Sequence, residues 1–143
     1  MKKTILVALL SISVVAFGTS CKKGGDNSST STSSAPPVVA LTGTPAQQMI
    51  QVMEMGVNAL KSNPDASVAA SALKAILNNY NVESLRAASK AAKDAGQGAT
   101  AEELNRFKAL QEEYKSLAQS VGSQNPGAFN EVHTEWSKAW GIN

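Results

Sequence analysis

The chain has 143 residues, 43% of them hydrophobic and only 5% aromatic, with one cysteine, one histidine and a formal charge of +2. That length holds one domain, and a lone cysteine excludes any disulfide within it, so the fold must stand by packing alone. The charge excludes a basic nucleic-acid binder: without Lys2 and Lys3 the thirteen bases fall to eleven, equal to the eleven acids, with no surplus to neutralise phosphates.

Met1-Lys2-Lys3 is a basic start, Ile5 to Phe17 an apolar run, and Gly18-Thr19-Ser20 a stretch of small residues. This is the tripartite plan of a secretory signal over residues 1–20, with an apolar run too short to span a bilayer. The chain's one cysteine, Cys21, follows at the cleavage point. The first 21 residues resemble the lipobox of bacterial lipoproteins, with Gly18 where that box usually carries Leu. The resemblance implies cleavage before Cys21, acylation of its thiol with palmitate-like chains, and a lipid anchor in the cell envelope. It implies no fold and no activity. Lys22 stands where an inner-membrane lipoprotein carries Asp, which implies the outer membrane. Gly18 and Ser20 also suit an ordinary signal peptidase, whose product would be a secreted protein with a free Cys21.

Residues 21–43 hold Gly24-Gly25, an uninterrupted run of Asn, Ser and Thr from Asn27 to Ser34, and Pro36-Pro37. Such a segment cannot bury enough apolar surface to offset the entropy of ordering it. The composition predicts a disordered tether with a span of roughly 25–30 Å.

From residue 44 to 143 apolar residues recur at helical spacing, which predicts an all-α bundle of four to five amphipathic helices. The first, about 45–61, gathers Met49, Ile50, Met53, Gly56, Val57 and Leu60 on one face. Asn63-Pro64 supplies a cap and a first-turn proline for a second helix, about 64–79, with Ala66, Ala69, Ala70, Leu73, Ile76, Leu77 and Tyr80 together. Asn78-Asn79-Tyr80-Asn81 is read as a break before a third helix, about 82–95, with Leu85, Ala88, Ala92 and Ala95 inward; one kinked helix is the alternative. Thr100 and Glu103 form a capping box for the fourth helix, whose stripe is Leu104, Phe107, Leu110, Tyr114, Leu117, Ala118 and Val121. Glu102 and Arg106 are spaced as an i,i+4 ion pair on it. Asn125-Pro126 opens the fifth, about 126–140, with Phe129, Val132, Trp136 and Trp140 on one side.

Catalytic groups are scarce in this pattern. One histidine and no cysteine after residue 21 fall short of a zinc site, and Asn130 stands where a di-iron bundle needs Glu three residues before its His. Glu131 and Glu135 share the polar face of the last helix, where solvation is the simpler role. No nucleophile motif or phosphate loop is present, so the expectation is a non-enzyme without cofactor or metal. Met53 on the first helix and His133 on the last loosely resemble the axial ligands of four-helix b-type cytochromes, which makes haem or another apolar ligand the alternative cargo. Met55, opposite Met53, and the Trp136/Trp140 stripe are the candidate partner surface. The leading expectation is an envelope lipoprotein whose helical domain binds another envelope protein or serves a structural role.

Overall fold

In the computed structural model, residues 38–142 are described. The signal segment, Cys21 and the tether up to residue 37 lie outside them. The described residues are all-α: α1 (Pro45–Ser62), α2 (Ala66–Asn79), α3 (Val82–Asp94), α4 (Ala101–Gly122) and α5 (Pro126–Trp140), with no strand among them.

Each helix begins where a short polar side chain can bond the free amides of the first turn. Thr44 accepts from Gln47 N while Gln47 Oε1 accepts from Thr44 N, and Thr100 and Glu103 repeat this box at α4. The start of α2 differs from expectation. Asp65, not Asn63, caps it, accepting from Ser67 N and Val68 N at 2.9 and 3.0 Å. A carboxylate beside the positive end of the helix dipole outcompetes the amide; Asn63 instead closes α1, its side chain donating to Ala59 O. Asn81 caps α3 through Ser84 N, so α2 and α3 are separate helices. Gly141, at φ +65°, ends α5 in the left-handed conformation, and Arg86 of α3 donates to Ala139 O beside it at 2.9 Å.

Helix directions follow from the side-chain pairs. Gln47 meets Glu103, Glu54 meets Arg106 and Lys61 meets Glu113, so α1 and α4 run parallel. Phe107 packs on Trp140 while Tyr114 packs on Trp136 and His133, so α4 and α5 are antiparallel. Residues 63–65 and 123–125 are tight turns, making α1–α2 and α4–α5 two helical hairpins laid side by side. Besides these partners, α1 packs on α3 and α2 on α5. The connecting helix α3 crosses the end that holds the N-termini of α1 and α4.

The core is Val52, Met53, Val57, Leu60, Leu73, Ile76, Tyr114, Phe129, Val132, Trp136 and Trp140, with Ala66, Ala69 and Ala70 allowing close approach of α2. Two expected faces are corrected. On α3 the inward line is Val82, Leu85, Ser89 and Ala92, while Ala88 and Ala95 are exposed. On α4, Leu104 is 49% exposed rather than buried, because only α1 and α3 lie near that first turn.

The folded unit also starts earlier than residue 44. Tyr80 Oη accepts from Val39 N and donates to Val39 O, both at 2.8 Å. The Gln51 side chain likewise accepts from Thr42 N at 3.3 Å and donates to Thr42 O at 2.9 Å. Two side chains thus clasp the backbone of residues 38–43 as a neighbouring strand would. Tyr80→Phe keeps the ring and removes both Val39 bonds; hydrogen exchange at the Val39 amide is expected to accelerate strongly, with core amides of α2 unchanged.

Candidate functional site

Trp136 and Trp140 are 0% and 4% exposed, so they form no surface; they belong to the core, where aromatic area contributes most to stability. They extend a line of rings through the bundle: Phe107, Trp140, Trp136, Tyr114, His133 and Phe129, with neighbouring centroids 5.3–5.8 Å apart. Met55 is half-buried and packs against the core cluster, leaving little of it for a partner.

His133 lies between Phe129 and Tyr114, and its Nδ1 stands 3.0 Å from Tyr114 Oη. Burial pushes the Tyr114 phenol far up, so its hydroxyl stays protonated and is free to donate to a neutral imidazole. Burial also lowers the His133 pKa. The folded protein therefore binds the His133 proton less readily than the unfolded chain, whose imidazole titrates near 6.5. Stability is fully present above that value and is expected to fall as the pH drops from about 6.5 through the lower folded value. Denaturation midpoints between pH 7 and pH 5 check this; His133→Gln should flatten the slope in that window.

The same geometry places Met53 and His133, the two residues of the haem alternative. Gly56 of α1 meets Trp136 of α5, and these helices are antiparallel. Met53 and His133 then lie on opposite sides of that contact, about 9 Å apart along the axis at 1.5 Å per residue. Met53 is 0% exposed within the core, and the His133 contact to Tyr114 is made by Nδ1. The fold thus sets the two side chains at different depths along the bundle. Among the described residues no group of three or more His, Cys, Asp or Glu side chains converges on a metal position.

What the fold does build is a long face between the parallel helices α1 and α4. One groove of about 460 Å³ has Val57, Ala109 and Leu110 in its lining, with Asn58 beside them and the pairs Glu54–Arg106 and Lys61–Glu113 crossing it. A second groove of similar size continues past the Glu54–Arg106 pair to Gln51, Thr42 and Thr100. Beside it, Met49, Ile50, Leu104 and Phe107 surround an apolar dimple of about 50 Å³ between α1, α3 and α4. Arg106 therefore reaches across to Glu54, and the expected Glu102–Arg106 pair does not form. The Glu103 carboxylate is held below its ordinary pKa by the Thr100 backbone N–H and then by the Gln47 side chain.

The two cross-groove ion pairs have side chains 30–63% exposed. Such pairs contribute at most about 1 kcal/mol, so a polar partner can exchange them for its own contacts at small cost. None of Glu54, Asn58, Lys61, Arg106 or Glu113 stands out within its own helix. Their only sequence signal is the seven-residue step from Glu54 to Lys61 and from Arg106 to Glu113, with charges inverted.

Comparison of the chain with protein-family models, with curated proteins and with solved structures finds no match.

Proposed function

We propose that this protein is a lipid-anchored lipoprotein of the bacterial cell envelope, held in the outer membrane through Cys21. Its helical domain is a non-enzymatic module that binds another envelope protein along the α1–α4 face. The observation that carries the binding reading is the open groove between the two parallel helices. Its lining combines apolar contact area, an exposed amide at Asn58 and four charged groups in exchangeable pairs, a mixture that suits a protein partner better than a small apolar ligand. The lipobox-like Cys21 and the polar tether that follows it support the anchor.

A photo-crosslinking residue placed at Asn58 in intact cells tests the reading, with Ser71 on the outer face of α2 as the control. A discrete adduct at position 58, absent at 71 and lost in Cys21→Ala, is the expected result. No adduct at 58, or equal adducts at both positions, overturns the assignment of this face.

A further inference from the structure

Four large apolar side chains are exposed among the described residues: Val38 (67%), Val39 (51%), Val68 (48%) and Leu104 (49%). Three of them share one end of the bundle. Val38 and Val39 precede α1, with Val39 clasped to Tyr80 at the C-terminus of α2, while Leu104 is in the first turns of α4, parallel to α1. Val68 sits in the first turn of α2, at the opposite end. The chain from Cys21 also arrives at the first end, because Pro37 leads straight into the clasped segment. Seventeen residues, Cys21 to Pro37, separate the acylation position from Val38. A polar linker of that length has a typical span of about 20–25 Å, so on average it keeps the end it enters nearer the bilayer than the opposite end, about 33 Å away along the 22 residues of α4.

We infer that this end faces the membrane and that Val38, Val39 and Leu104 rest in the interface of the bilayer to which Cys21 is attached. The inference rests on the lipid-anchor reading above. Tethering raises the local concentration of membrane surface so far that a few apolar side chains suffice to set orientation, although they could not recruit the domain from solution. Charge does not drive the contact. Around this end Arg86, Lys90, Lys93 and Lys138 are balanced by Glu83, Asp94, Glu102 and Glu103. The contact of this end is therefore apolar and set by Val38, Val39 and Leu104 rather than by salt-sensitive charge. It holds the turns at 63–65 and 123–125 outward and leaves the α1–α4 groove running along the membrane normal, open from the side.

The test uses the full acylated chain, purified from membranes and reconstituted into vesicles of phosphatidylethanolamine and phosphatidylglycerol. With Cys21 blocked by its lipid, Val38→Cys, Leu104→Cys and Val68→Cys each give one spin-label position. The labels at 38 and 104 are expected to collide with oxygen over a water-soluble nickel chelate several-fold more than the label at 68, at low and high salt alike. Protein that sediments with vesicles but shows the same ratio at all three positions overturns the orientation while leaving the anchor intact. Protein that does not sediment with vesicles, and whose Cys21 thiol takes up the label, overturns the anchor and the orientation together.

Discussion

Trp136→Ala is expected to destabilise the bundle by about 3–5 kcal/mol, the usual cost of removing a buried tryptophan. The ring is fully buried, stacks on Tyr114 at 5.3 Å, meets Trp140 at a tilt with centroids 5.7 Å apart, and covers Gly56 of α1. It therefore joins three helices, and a small domain with about 5–15 kcal/mol in total loses a large part of its stability with it. Trp136→Phe should cost much less. Its indole N–H finds no acceptor among the described residues, so the smaller ring gives up area but no hydrogen bond. Urea unfolding followed by circular dichroism ranks the two variants; a loss under about 1 kcal/mol for Trp136→Ala, the size of an average substitution, would contradict this packing.

Gly56→Ala is expected to destabilise as well, against the intrinsic preference of a helix for alanine. Inside α1 that preference alone would favour the substitution by about 1 kcal/mol. A Cβ at position 56 would stand 2.5 Å from Trp136 Cη2 and nearer still to Cζ2, where ordinary contact begins at 3.4 Å. Forcing a methyl into a filled core costs about 1–3 kcal/mol, so the net sign is a loss. The double variant Gly56→Ala/Trp136→Phe should lose less than the two single losses combined, because the smaller ring makes room for the methyl. A stabilised Gly56→Ala would mean that Trp136 does not cover Gly56 this closely.

Local rules made the helices legible. The Thr100 capping box, the Asn125-Pro126 start and the break within Asn78-Asn79-Tyr80-Asn81 all depend on contacts within four residues, and each is found, the break at Tyr80 and Asn81. Long-range competition decided what was misread. The fourth helix carries a continuous apolar stripe, but the neighbours that bury Tyr114 and Val121 do not reach Leu104. Arg106 had an acid at the right spacing on its own helix, yet Glu54 on α1 takes it. Val52, outside the main stripe of α1, is 0% exposed because α1 is surrounded by α2, α3 and α4. The α1–α4 face was invisible for the same reason: nothing in either helix states that the two run parallel. His133 is the one histidine of the sequence, but its partner, the hydroxyl of Tyr114, lies nineteen residues away on another helix.

The most direct test of a lipid-anchored module is the intact mass of the mature protein recovered from the membrane fraction of the cells that make it. The expected mature chain begins at Cys21 and carries the added mass of a diacylglyceryl group, with an amide-linked acyl chain where the host adds one. Cys21→Ala should lose that mass and leave the membrane. A mature chain recovered in soluble form, with an unmodified thiol at Cys21, would contradict the anchor, and the membrane-facing end would fall with it.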